Sequence, residues 1–140
     1  MHKWHWAAAI GATLLIIYSS LRSTSDIPGP NILHLDKILH MGAYAVLTLL
    51  WLRVALWETG FTLYAKGHPQ ARNTMFIKIG VTILLFSGSM EVAQGLVSTG
   101  RSMDAFDLAA NAAGIAFAIL LVRRAMSTTH GIFRLPLHWM

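Results

Sequence analysis

Residues 104–122 read DAFDLAANAAGIAFAILLV, with Asp104 and Asp107 at the start and no further charge before Arg123. A hydrocarbon core about 30 Å thick is crossed by a helix of about 20 mostly apolar residues. This stretch has that length and character. Working outward from it, three more runs read the same way, over 76–97, 38–57 and 4–21. The connecting segments 22–37, 58–75 and 98–103 hold eight of the 17 charged residues, together with Pro28, Pro30 and Pro69, while Pro136 sits in the tail. In lipid every backbone N–H and C=O must be satisfied internally, so the spans are expected to be helices. No segment alternates apolar and polar residues as a membrane barrel strand does. The expected architecture is all-α, an integral membrane four-helix bundle in one domain over residues 1–126, followed by a tail over 127–140.

Composition points the same way. The 140-residue chain is 55% hydrophobic and 12% charged, against about 25% charged in a typical soluble domain. So few charges cannot clothe a water-facing surface. The first run, with its weakly basic start and Ser19 and Ser20 after it, has some features of a signal peptide. Trp4, Trp6 and Tyr18 at its ends read instead as interfacial aromatics of an uncleaved anchor. The tail, with His130, Arg134 and Trp139 among its residues, reads as a partly ordered terminus.

Orientation follows from the basic residues. Of the eleven lysines and arginines, eight fall on one side: Lys3, Arg53, Lys66, Arg72, Lys78, Arg123, Arg124 and Arg134. Arg22, Lys37 and Arg101 fall on the other. The positive-inside rule then places both termini in the cytoplasm. The net charge of +5 is on this reading a topology signal, because the bases are scattered along short loops, and no nucleic-acid partner is expected. The chain has no cysteine, so no disulfide staples its loops.

The polar residues within the spans are concentrated at one end. Lys37, His40 and Tyr44 are spaced i, i+3, i+7 and share a helix face. On the third span Glu91 and Gln94 are three apart, with Glu91 about 6 Å in from the end at 1.5 Å per residue. On the fourth, Asp104, Asp107, Asn111 and Gly114 again share a face, and Arg101 stands in the preceding turn. A lone charge facing lipid near mid-membrane costs about 2.5–3.5 kcal/mol on insertion scales, less near the interface. Glu91 and Asp107 are therefore expected to face neighbouring helices, with Lys37, His40 and Arg101 as counter-charges. Small residues that permit close packing in lipid occur as two ridges on the fourth span, Ala110–Gly114–Ala118 and Ala105–Ala109–Ala113, and as Ser89–Ala93 on the third.

Taken in order, Asp36-Lys37-x-x-His40-x-x-x-Tyr44, Gly88-x-x-Glu91-x-x-Gln94 and Arg101-x-x-Asp104-x-x-Asp107-x-x-x-Asn111-x-x-Gly114 resemble the VanZ-like family. The resemblance runs from about residue 36 to about residue 122. It implies a small multi-span protein of the bacterial cytoplasmic membrane and cell envelope. The family's founding member is associated with resistance to the glycopeptide teicoplanin, which makes a link to resistance an implication of the resemblance; no residue ties this chain to an antibiotic. The fairly long basic segment around 65–73 departs from the pattern.

Three roles are consistent with the polar end. In the first, Lys37, His40 and Arg101 hold the anionic group of an envelope lipid or lipid-linked precursor, Arg101 by its planar fork and Lys37 as a point charge. Tyr44 and Gln94 then supply neutral hydrogen bonds, Glu91, Asp104 and Asp107 orient the bases or read hydroxyls and amines, and Asn111 is counted in the same ligand-binding set. In the second, His40 is a general base partnered by Glu91 or Asp107 in an intramembrane enzyme acting on such a lipid. The residues lean away from catalysis, since no Gly-x-Ser-x-Gly elbow, His-Glu-x-x-His helix or phosphate-cradling glycine loop occurs. In the third, the cluster is a structural clamp. His40, Glu91, Asp104 and Asp107 are acceptable metal ligands, but Lys37 and Arg101 supply the same positive charge, so neither a metal nor a cofactor is expected. Four short helices enclose little space, which a homo-oligomer would enlarge.

Overall fold

The computed structural model describes residues 3–21, 35–60, 69–97 and 104–128. Arg101, His34 and the tail from 129 onward lie outside the described residues, as do most of the connecting segments. The described chain is all-helical: α1 (Lys3–Leu21), α2 (Leu35–Ala55), a π-helical turn (Leu56–Gly60), α3 (Pro69–Val97) and α4 (Ala105–Thr128). Each of the four α-helices is long and apolar enough to cross a membrane, as a multi-pass membrane protein requires.

The helices outrun their hydropathy. The apolar run of α3 opens at Phe76, yet its helix begins at Pro69 and extends 29 residues. Pro69 suits a first helical position, where its fixed φ fits and its missing N–H would be unpaired anyway. Gln70, Ala71 and Arg72 then continue as good helix formers. At about 1.5 Å per residue α3 is about 44 Å long, well beyond a hydrocarbon core of about 30 Å. α4 likewise continues through Arg123 and Arg124 to Thr128. Its start is fixed by Asp104, just outside the helix. The Asp104 carboxylate accepts the Phe106 N–H at 2.8 Å, and its carbonyl accepts the Asp107 and Leu108 N–H groups. That is an N-cap, and it satisfies donors that the first helical turn leaves open.

α2 is the hub. It packs against α1, α3 and α4, most extensively against α4, while α1 lies at the periphery against α2 and α3. Contacts at the ends set the directions. Trp6 near the start of α1 donates to Glu58 just beyond α2 at 3.2 Å, and its ring meets Trp51 edge-on at 5.8 Å. Asn73 near the start of α3 accepts from Arg123 near the end of α4 at 2.8 Å. α1 is thus antiparallel to α2, and α3 to α4.

The centre is formed by Tyr44, Leu47, Ile83 and Ile115, with Ile16, Trp51 and Phe86 packed against it. Around it the surface is apolar on every side: Leu14, Leu15, Leu85, Leu96, Phe106 and Phe117 are all more than half exposed. No spanning window has more than 33% of its residues buried. Patches of this extent are not tolerated on soluble monomers. The sequence therefore directs its apolar majority outward and keeps a thin interior.

α2 and α4 approach most closely at a glycine. A Cβ on Gly114 would overlap the Met41 carbonyl oxygen and lie 3.1 Å from the Ala45 nitrogen. Only a residue without a side chain allows this contact. Of the two small-residue ridges expected on this helix, Ala110–Gly114–Ala118 is the packed one, with Gly114 and Ala118 buried. The other, Ala105–Ala109–Ala113, is exposed, as is Ser89 of the ridge expected on α3. The Ala105–Ala109–Ala113 stripe thus faces away from the bundle, while Ala93 is half-buried.

Candidate functional site

The start of α2, the end of α3 and the start of α4 meet at one end of the bundle, opposite Arg53, Arg72, Arg123 and Arg124. There the Lys37 ammonium lies between two carboxylates of α4. It donates to Asp104 at 2.5 Å and to Asp107, and Asp36 stands 3.7 Å away. Lys37 has 30% of its side chain exposed, Asp107 only 10%. The lysine thus reaches in from the rim and compensates a nearly buried carboxylate.

Asp104 itself lies just before α4. The Lys37 ammonium holds its carboxyl below the usual carboxylate range, and the Phe106 N–H adds to the effect. Both favour the charged form. One carboxylate therefore caps α4 and pairs with α2.

One turn further in, His40 Nδ1 lies 3.2 Å from Asn111 Oδ1. Asn111 Nδ2 donates to Ser87 Oγ on α3 at 2.8 Å. With the amide nitrogen committed to Ser87, the amide oxygen is the acceptor, so the histidine proton is assigned to Nδ1. Nε2 then faces Asp36 Oδ1 at 3.7 Å and Asp107 Oδ2 at 3.9 Å. These distances are too long for direct hydrogen bonds. A neutral imidazole lone pair facing two carboxylates is repulsive. The position between them suits a donor: a hydroxyl, an amine, water, or a proton on Nε2.

The network continues inward. Tyr44 lies near Ser87 in the interior, and the Tyr44 ring packs 6.5 Å from Phe86. Ser87, Glu91 and Gln94 of α3 are all buried, at 0%, 5% and 3% exposure. From Lys37 to Tyr44 the polar column descends about 10 Å along α2, at 1.5 Å per residue. Below it Thr48 turns its hydroxyl back to the Tyr44 carbonyl at 2.7 Å, and the interior becomes apolar.

The close contact of Gly114 with Met41 lies beside this layer. It draws α2 and α4 together so that Lys37 reaches Asp107 and His40 reaches Asn111. The structure thus brings together Lys37, His40, Asp104, Asp107 and Asn111 directly, with Ser87 bonded to Asn111 and Tyr44 buried nearby. Glu91 lies within electrostatic reach of Tyr44 and Gln94 one turn beyond it. Arg101 is outside the described residues.

Two participants were not singled out as site residues by the sequence. Ser87 is one turn before Glu91 on the same face of α3, and that spacing was the available signal. Asp36 was quoted only as the opening of the Asp36-Lys37-x-x-His40 pattern and as a neighbour of Lys37. In the fold it joins His40 and Asp107 in a triad whose ligand atoms lie within 4.8 Å of one another. These are the residues that would hold a divalent cation, in place of a set including Glu91. Lys37 already neutralises part of that charge from the Oδ1 side of Asp107.

In comparisons with known proteins, no family model matches the chain, no curated protein is significantly similar to it, and no solved structure matches its fold.

Proposed function

We propose that this chain is a VanZ-like multi-pass protein of the bacterial cytoplasmic membrane, with both termini in the cytoplasm. Its polar end faces outward and binds the headgroup of an anionic envelope lipid or lipid-linked precursor. The observation that carries this reading is the Lys37 ammonium shared by Asp104 and Asp107, with His40, Asn111 and Ser87 continuing the network into the bundle. Interhelical polar contacts in membranes are worth about 0.6 kcal/mol each on average. That is a small stabilising return for four carboxylates, a lysine and a histidine drawn to one end.

Lys37 is occupied within the protein, so an anion must compete for it. A phosphate oxygen takes the place of Asp104, the more exposed of the two carboxylates, in the lysine's shell. Asp36, Asp107 and His40 Nε2 then receive hydroxyl or amine protons of the same headgroup. The ligand best suited to this end carries both an anionic group and hydroxyl or amine donors.

Native mass spectrometry of detergent-extracted protein tests the reading through the sign of an effect. Lys37→Ala should remove the one anionic lipid held at this end. Asp104→Asn keeps a capping side chain but removes the competing charge, and should raise retention. If Asp104→Asn lowers melting temperature and leaves lipid retention unchanged, the cluster is a structural clamp. The clamp reading draws on the same observation, because a lysine held by two carboxylates also ties α2 to α4.

A further inference from the structure

The other end of the bundle carries a second, different site. Between the start of α3 and the end of α4 lies a cleft of about 490 Å³, lined by Arg72, Asn73, Phe76, Leu120, Arg123, Arg124 and Met126. Among these described residues there are three guanidinium groups and no carboxylate. Arg123 is held in place, donating to Asn73 at 2.8 Å and lying 5.8 Å from the centre of the Phe76 ring. A guanidinium has five N–H donors, so one bond to Asn73 leaves most of the fork for a ligand.

Phe76 also lines an adjoining apolar groove of about 260 Å³, which continues between α3 and α4 past Ile77, Gly80, Ile115 and Ile119. From Phe76 to Leu84, its far end on α3, the groove extends about 12 Å along the helix. Gly80 presents no side chain to it. The two spaces thus join a polycationic mouth to an apolar channel aligned with the helices.

We propose that this joined cleft binds one phospholipid with a net negative headgroup, its phosphate on Arg72, Arg123 and Arg124 and an acyl chain in the groove past Gly80. Two features commit the site to lipid. Three arginines in a mouth whose described lining holds no carboxylate complement an anionic headgroup, and basic pockets between spanning helices are a known setting for such lipids. A soluble phosphate has no use for the apolar channel that opens from the same phenylalanine. The site is separate from the Lys37 end and independent of the role proposed there.

The test is a lipid titration of the full-length protein in detergent, followed by native mass spectrometry. The probes are dioleoyl phosphatidylglycerol, dioleoyl phosphatidylcholine and inorganic phosphate. Wild type should bind phosphatidylglycerol at least about tenfold more tightly than phosphatidylcholine, a difference of about 1.4 kcal/mol. Arg72→Gln combined with Arg124→Gln keeps the Arg123 contacts and should remove the phosphatidylglycerol bound at this end, leaving only what the Lys37 end retains. Gly80→Leu fills the channel and should weaken both lipids about equally, with a cooperative thermal unfolding transition near that of wild type showing that the bundle persists. Lys37→Ala should leave the preference intact, which separates this site from the polar end. Equal affinity for the two lipids, an undiminished preference in the double arginine variant, or full displacement of phosphatidylglycerol by equimolar inorganic phosphate would each overturn the proposal. Unchanged lipid binding in Gly80→Leu would overturn the acyl-chain placement.

Discussion

Gly114 of α4 rests directly on the main-chain carbonyl of Met41 in α2. The contact is backbone against helix, so neither side can yield by a rotamer change. Gly114→Ala should destabilise the bundle by about 2 kcal/mol, within the usual range for overpacking, and Gly114→Leu by more. Gly80→Ala is the control. Its added Cβ would meet only the tip of the Ile119 side chain at 2.9 Å, which can move. Thermal unfolding in detergent should therefore separate the two alanine variants clearly.

Removing Lys37 leaves Asp107 nearly buried beside Asp104 without its compensating charge. Breaking a buried pair from one side costs about 3–5 kcal/mol. Lys37 keeps contact with solvent, so about 2 kcal/mol is expected for Lys37→Ala. Lys37→Ala with Asp107→Asn should recover much of that loss. A double-mutant cycle by unfolding measures the coupling, and a coupling near zero would show that the pair contributes nothing to stability.

Asn111 is fully buried between His40 and Ser87. Asn111→Ala strands the imidazole N–H and the serine hydroxyl, at about 1–3 kcal/mol for unsatisfied buried polar groups. Ser87→Ala removes one partner only and should cost less. The same unfolding assay tests the order of the two.

Asp104 gives a pH signature. Its carboxyl is held below the usual carboxylate range by Lys37 and the Phe106 N–H. A group with a depressed folded-state pKa contributes stability that is fully present above its unfolded value and lost as pH falls through its folded value. The Lys37–Asp104 contribution should therefore be constant down to about pH 4, the ordinary aspartate value, and fade only below it. Asp104→Asn has no such term. Its melting temperature should fall less steeply than that of wild type in this acid range, and parallel curves would show that Asp104 does not carry the effect.

The number and type of the helices were readable because apolar runs of spanning length admit few alternatives. The true start of α3 was less readable, because Gln70, Ala71, Arg72 and Asn73 are polar and leave no hydropathy signal. Pro69 and local helix propensity were the clues there. The two small ridges of α4 looked equivalent as patterns, yet the sequence contained the means to rank them. Asp107, Asn111, Gly114 and Ala118 fall on one face, and polar side chains in an apolar helix turn inward, so their face is the packed one. The union of Lys37 with Asp107 follows from shared faces and a shared end. The link from Asn111 to Ser87 did not, because it depends on the rotation of α3 about its own axis, which no spacing within α3 sets.

The separation of charge along the bundle also has an electrical meaning. Among the described residues, Asp36, Glu91, Asp104 and Asp107 gather at one end with Lys37, while Lys3, Arg53, Arg72, Lys78, Arg123 and Arg124 lie toward the other, with Glu58. The molecule is thus a permanent dipole aligned with its helices. A transmembrane voltage acts on such a dipole with about 2.3 kcal/mol per elementary charge per 100 mV. In the proposed orientation, with the arginine end on the electrically negative face, an energised membrane would resist inversion of the protein, and each charge carried across would add to that resistance.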